Sequence, residues 1–322
     1  MRFGLPGTRG SLAPGSAVST LELARTAESL GYEALWLSEE HFSRIGAAVR
    51  RSGPSALIAA AAIAAATRRI RIGFTVLLPQ IHDATRLAED IATLDVLSGG
   101  RVNVGLGWPD PAYLETFPRA SVTLAVQLAK LTAAWRGDPV VTATGAYIVE
   151  PPPYQQPHPR IFIAPRDLEA VDWAAGQGHA IILSAFQASN SLRDTLSRFA
   201  DQGGRLADSP IERFCMVAES DEAAFQQARP LVQRLVQRFT QSGTANLSHT
   251  IIDAPEIDPL RFYDEVALIG GAETVAARIT ALRDGRGVQS INLRPSFWGT
   301  CPAELQRETV ARFAADVMPK FA

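Results

Sequence analysis

Ile70-Arg71-Ile72-Gly73-Phe74-Thr75-Val76-Leu77-Leu78, stopped by Pro79, is the stretch on which the fold turns. Its β-branched residues and terminal proline read as a buried strand. A helical pattern from Thr85 to Leu97 and a second strand from Arg101 to Gly105 follow directly. Strand, helix and strand within so short a span make a parallel βαβ unit. The unit recurs on both sides. Upstream lie a strand from Arg2 to Pro6, a helix from Leu21 to Leu30 with Ser19 or Thr20 as N-cap, a strand from Ala34 to Leu37, and an alanine-rich helix opened by Pro54 and closed by Arg68-Arg69. Downstream, strands are expected at Ile161–Ile163, Ala180–Leu183, Phe214–Val217 and Ser290–Leu293. Helices are expected at Val122–Trp135, Leu168–Ala175, Leu192–Asp201, Glu222–Thr240, Ala272–Arg283 and Ala303–Val317.

Eight strands, each followed by a helix, predict an α/β fold of the closed (β/α)8 TIM barrel type, one domain over residues 1–322. A doubly wound open sheet is the alternative, but no glycine fingerprint follows any strand. Two irregular insertions interrupt the pattern, Pro109 to Arg119 after the fourth strand and Gln241 to Arg261 between the seventh and eighth. Loops of that length are commonly lids or binding loops. A hairpin of Val140–Thr144 and Tyr147–Val149 is expected within the Pro/Gly-rich segment from Gly137 to Pro159.

The composition narrows the function. The chain has 322 residues, 31 Lys+Arg against 33 Asp+Glu, 47% hydrophobic and 20% charged. A near-neutral balance speaks against a nucleic-acid binder. The most apolar run, Ser55 to Ala66, ends at Thr67-Arg68-Arg69 and is too short to cross a membrane. No secretory signal is read at the N-terminus, so a cytoplasmic location is expected. Cys215 and Cys301 have no metal spacing and read as ordinary reduced thiols. His158, His179 and His249 show none either, so no metal is expected.

On a barrel the residues just after each strand form the catalytic face. Glu39-Glu40-His41-Phe42 follows the second strand, His82 the third and Trp108 the fourth, with Arg166-Asp167 after the fifth. His82 is either a ring or substrate contact or a loop histidine without a role. Trp36, Phe42, Phe74, Trp108, Tyr113, Phe186 and Trp298 are candidates to line an apolar mouth. Trp36, His82, Phe186 and Trp298 are taken as the substrate pocket, which suits a small apolar or aromatic organic substrate.

Several of these segments together resemble the bacterial luciferase-like flavin monooxygenases. The resemblance is carried by Gly31 to Phe42, by Ile70 to Pro79, and by Arg86 to Arg101, ending Leu-Asp-Val-Leu-Ser-Gly-Gly-Arg. Gln156-Pro157-His158-Pro159 and the closing segment Phe313 to Phe321 complete it. It implies the same barrel, a homodimer, and a monooxygenase that takes reduced FMN from a separate flavin reductase and activates O2. Part of the family instead uses F420 as a hydride carrier, and a non-catalytic flavin-binding barrel is a third possibility. In either enzyme the cofactor supplies the chemistry and the barrel mouth holds it dry and oriented.

The resemblance also assigns residues. The family motif reads Glu-His-His-Phe with its first histidine catalytic; here that position is Glu40, and His41 matches the second. A glutamate titrates near 4.3 and a histidine near 6.5. An ionised Glu40 about 6 Å from an anionic reduced flavin meets roughly 3 kcal/mol of repulsion at an effective dielectric of 20. Either Glu40 is protonated by burial and acts as an acid, or it points away. His41 is either the base or a structural histidine. Phe74-Thr75-Val76 matches the region where the family often has a non-proline cis peptide beside the flavin ring. At the phosphate site Trp108 stands where arginine is expected, and Asp167 where a hydroxyl is expected. Losing one charge-assisted contact costs ~1.5–3 kcal/mol. Arg166, at a helix N-terminus, either compensates or forms a surface pair with Asp167.

Overall fold

A computed structural model describes residues 1–7, 20–41, 55–117, 122–241 and 259–322. Phe42, Pro54, Ser19, His249 and most of the Gln241–Arg261 insertion lie outside the described residues. The strands are β1 (Arg2–Pro6), β2 (Ala34–Leu37), β3 (Arg71–Phe74), β4 (Val102–Leu106), β5 (Val140–Thr142), β6 (Gly145–Tyr147), β7 (Arg160–Ile163), β8 (Ala180–Ile181), β9 (Ile211–Val217), β10 (Ala267–Gly270) and β11 (Ser290–Arg294). The helices are α1 (Thr20–Ser29), α2 (Ala56–Ala66), α3 (Ala84–Ser98), α4 (Pro111–Thr116), α5 (Leu124–Trp135), α6 (Leu168–Gly176), α7 (Ser189–Asp201), α8 (Asp221–Gln241), α9 (Pro259–Val266), α10 (Ala272–Arg286) and α11 (Ala303–Arg312).

β5 and β6 form the expected antiparallel hairpin, with its second strand at Gly145–Tyr147; among the described residues all other pairings are parallel. The large sheet runs β10-β9-β11-β1-β2-β3-β4-β7-β8. No continuous ladder joins β8 to β9. One bridge, Leu183 to Ile211, spans that gap, with Leu183 N–H donating to Pro210 O (3.1 Å) and Glu212 N–H to Leu183 O (2.9 Å). The mostly parallel α/β architecture expected of a barrel therefore stands, but the sheet does not close: β8 meets β9 only at this bridge.

Two differences from the sequence reading have local causes. The third strand, expected over Ile70–Leu78, leaves the ladder at Phe74, and Leu77 rejoins β4 only at a bridge to Leu106. β10 is an additional strand that pairs with Phe214–Val217 of β9; it follows α9 without a turn residue to mark its start. The insertion after β4 holds the short helix α4, whose N-cap Asp110 accepts from the Ala112 N–H at 3.0 Å, with Pro111 at the first position.

The main core lies between the sheet and its helices, and a separate cluster of Ala34, Trp36, Phe162 and Ile182 fills the barrel interior. Gly4 and Gly73 make room there, since a Cβ on either would run into the Trp36 indole. The Asp95–Arg101 segment clamps the outer layer. The Arg101 guanidinium donates to Ala64 O (2.9 Å), Thr67 O (3.2 Å) and Ile70 O (2.9 Å), carbonyls at and beyond the end of α2. Gly99 (φ 69°) ends α3 in the left-handed conformation, and buried Asp95 accepts from Gln155 N–H and Nε2, both at 2.7 Å.

Candidate active site

β2 carries the chain to the C-terminal face of the barrel, where it stays extended and tied to the chain beyond β3. Thr75 N–H donates to Leu37 O (2.7 Å), Ser38 Oγ to Thr75 O (3.1 Å) and Glu39 N–H to Val76 O (3.0 Å). The Thr75–Val76 peptide is cis, as the resemblance implied. Gly107 N–H donates to Leu77 O (3.0 Å), and a Cβ on Gly107 would meet the Val76 side chain.

Glu39 is the centre of this region. Its Oε1 lies 2.6 Å from His82 Nε2 and 3.1 Å from His41 Nε2, and its Oε2 accepts from the Leu78 N–H at 2.7 Å. Its side chain is only 6% exposed, whereas those of His41 and His82 are 28% and 26% exposed. Burial by itself raises the Glu39 carboxyl. Hydrogen bonds from His41 and His82, the charge at His82 and the Leu78 N–H outweigh that and bring it down to about 2. Glu39 is thus an ionised, acceptor-only carboxylate, so both Nε2 atoms must carry protons. In the neutral form of either ring, the nitrogen left without a proton is then Nδ1.

Neighbouring elements hold the two imidazoles. Tyr113 on α4 accepts from the His41 N–H at 3.1 Å and donates to His41 O at 3.0 Å, its ring edge-on at 5.5 Å. Phe117 adds a second edge contact to His41 at 5.1 Å. Gln127 of α5 donates from Nε2 to His82 O at 3.2 Å.

The other expected residues divide between this rim and four other places. Glu40 is half-buried with Oε2 shielded from solvent, and is not among the groups bonded to Glu39. Thr75 and Val76 are half-buried at the mouth, whereas the Phe74 side chain belongs to the main core. Trp36 is inside the barrel, 5.3 Å edge-on to Phe162. Trp108 lies under Arg166, whose guanidinium is 5.3 Å from its ring centroid. Arg166 is also paired with Asp167 at 3.1 Å, and Asp167 caps α6 by accepting from the Ala170 N–H at 2.8 Å. Phe186 and Trp298 meet edge to face at 5.0 Å. Arg294 is 5.4 Å from the Trp298 ring and forms a buried pair with Glu212.

Sequence reasoning leaves Glu39 inside its motif without a role. A signal for it exists: in an extended segment, residues two apart share a face, which places Glu39 with His41 and sets Glu40 apart. The Glu212–Arg294 pair gives no such signal, because its partners are 82 positions apart.

Comparison with known proteins agrees with this architecture. The chain is 25% identical, over 49% of its length and 46% of the relative's, to the oxygenase component of a flavin-dependent trigonelline monooxygenase from Acinetobacter baylyi. It is 25% identical, over 93% of both chains, to an F420-dependent glucose-6-phosphate dehydrogenase from Amycolatopsis mediterranei. The oxygenating constituent of 3,6-diketocamphane monooxygenase from Pseudomonas putida, solved with FMN, superposes with a TM-score of 0.78 at 17% identity, covering 99% of this chain and 98% of that one. Residues 3–290 match the family model of the luciferase-like monooxygenases. With a match over most of its length, the chain belongs to the luciferase-like monooxygenase family.

Proposed function

We propose that this protein is a two-component flavin-dependent monooxygenase that uses reduced FMN from a separate flavin reductase. It inserts one oxygen atom of O2 into an apolar or aromatic organic substrate. The observation that carries the reading is the buried carboxylate of Glu39 holding the imidazoles of His41 and His82 at the mouth of the barrel. Oxygenation needs protons delivered and removed at defined atoms, and two oriented imidazoles beside an ionised carboxylate are suited to that.

The residues present fit a flavin by their donor chemistry. Half-buried Thr75, Val76 and Trp108 offer a mixed apolar wall, with the Phe74 backbone behind them, for a flat ring. Arg166 offers a cation at the rim for the phosphate end, tempered by its pairing with Asp167. Reduced FMN, when bound, supplies the electrons that activate O2. His41 and His82 present Nδ1 as the proton-accepting atoms, and Glu39 fixes their orientation. Glu40, shielded from solvent at one oxygen, is assigned the role of proton donor.

Homodimerisation and a cytoplasmic location complete the reading. The eleven residues of α2 are all alanine, leucine or isoleucine, and Ile58 on it is 72% exposed. A helix apolar on its solvent side suits a second copy of the chain. Ile58→Glu is expected to shift the protein from dimer to monomer in light scattering. Among the described residues no helix is long and apolar enough to cross a membrane.

Hydride transfer with F420 is the second reading, favoured by the relative that aligns over 93% of both chains. Anaerobic titration with reduced FMN and with reduced F420, followed by admission of O2, separates the two. Binding of reduced FMN with O2 uptake coupled to oxygenation of an aromatic substrate, absent with free reduced FMN alone, supports the oxygenase. Binding of F420 alone transfers the protein to hydride chemistry, and binding without turnover of either makes it a non-catalytic flavin-binding barrel.

A further inference from the structure

The far side of the mouth holds an arrangement that the proton chemistry does not use. β11 ends at Arg294, and the chain then passes through Phe297 (φ 44°) and Trp298 (φ 54°), both in the left-handed region. Side chains bearing a Cβ adopt that region at a cost, and such residues gather at ligand clamps. Phe297 is fully buried against Phe214 at 5.5 Å, which anchors the turn. Trp298 is half-buried and edge-on to Phe186 at 5.0 Å.

Arg294 lies against the Trp298 ring, its guanidinium 5.4 Å from the centroid. Its Nε donates to Glu212 Oε2 at 2.9 Å, and its Nη2 donates to Oε1 at 2.9 Å and to Oε2 at 2.8 Å. Arg294 is 8% exposed and Glu212 5%. Among the described residues, Nη1 of Arg294 has no acceptor. A buried ion pair is a weak device for stability, because desolvation offsets the attraction. A guanidinium held rigid by one carboxylate, with two N–H groups left over beside an indole, is a device for recognition.

We infer that Arg294 and Trp298 form the specificity subsite of this enzyme, for a planar aromatic ring that carries an uncharged carbonyl or phenolic oxygen. The inference rests on the oxygenase reading above for its place in the reaction, but not for the binding it predicts. The ring packs against Trp298, and the oxygen accepts from Arg294 Nη1. Glu212 is a positioning residue that aims the guanidinium. Because Glu212 already neutralises Arg294, a carboxylate on the ligand finds no unpaired cation to repay its own desolvation. The subsite therefore favours a neutral oxygen.

Three probes of one shape test this with the full chain: 1-acetylnaphthalene, 1-ethylnaphthalene and 1-naphthoate. Each is titrated by tryptophan fluorescence and equilibrium dialysis, with and without reduced FMN under anaerobic conditions. The ketone is expected to bind about tenfold to a hundredfold more tightly than the ethyl compound, with the naphthoate no tighter than the ketone. Trp298→Leu weakens ketone and ethyl compound by a similar factor, about threefold to tenfold, and keeps the preference. Arg294→Met abolishes the preference. Should that variant fail to fold, Glu212→Leu combined with Arg294→Met removes the pair together and is expected to abolish it as well. Equal binding of ketone and ethyl compound to the unaltered protein, a preference that survives loss of Arg294, or no binding of any probe overturns the inference. A preference that follows Arg294 in a protein that binds no reduced FMN leaves the subsite standing and removes only the oxygenase reading.

Discussion

The two rims of the barrel mouth are built on different principles. Beyond β2, β3 and β4, a buried carboxylate, two imidazoles and a tyrosine hydroxyl form one hydrogen-bonded array. Beyond β8 and along β9 and β11, Phe186, Phe214, Phe297 and Trp298 pack on one another, with one ion pair beneath. In the first rim the charge is held by hydrogen bonds from two imidazoles and a backbone N–H. In the second it is cancelled at once by a partner of opposite sign. One side is suited to moving protons and the other to recognising a ring, which is how a barrel can keep its cofactor chemistry and vary its substrate.

Substitutions on one rim at a time test this contrast. The largest effect is expected on the aromatic side, where Arg294→Met leaves Glu212 buried and uncompensated and destabilises the fold by about 3–5 kcal/mol. Replacing both partners with apolar residues recovers most of that loss, and chemical denaturation measures each variant. The polar side responds instead to acid. Glu39 falls from an ordinary 4.5 to about 2 in the folded protein. Its contribution, roughly 3 kcal/mol, is therefore complete above about pH 4.5 and is lost as the pH falls toward about 2. Stability measured from pH 5 to 2 should show that slope in the unaltered protein and not in Glu39→Gln.

Glu39→Gln is also expected to lower turnover by about a hundredfold, because the single amide oxygen cannot accept from both imidazoles and the Leu78 N–H, and the NH2 group donates where the carboxylate accepted. Reduced-flavin binding should change little, so the loss appears in kcat rather than in affinity. Tyr113→Phe has the smallest effect, a loss of about 1 kcal/mol in positioning His41. Turnover falls about threefold to tenfold, and the acid slope of stability is unchanged.

Much of this molecule is legible in its amino-acid sequence, though unevenly. All eight expected strands have counterparts in the sheet, because apolar β-branched runs alternate with amphipathic helices in short order. The Leu94–Arg101 segment carries the resemblance most strongly, yet its work is structural: Arg101 closes α2, and Asp95 holds Gln155. His41 and His82 stand out separately in the sequence, and nothing in their spacing of 41 positions announces that one carboxylate joins them. Glu39 escapes notice because the motif draws attention to Glu40 beside it. β10 escapes because no turn residue separates it from α9, and the Glu212–Arg294 pair depends on strand register that no local pattern encodes.

An ionised Glu39 holds both imidazoles as Nε2–H. Side-chain 15N NMR on the five histidines, comparing the unaltered protein with Glu39→Gln at a pH where the rings are neutral, tests it without any substrate. His41 and His82 are expected to carry their protons on Nε2 in the unaltered protein and to become tautomeric mixtures when Glu39 is changed. Protons on Nδ1 at either ring, or spectra that do not respond to Glu39, would contradict it.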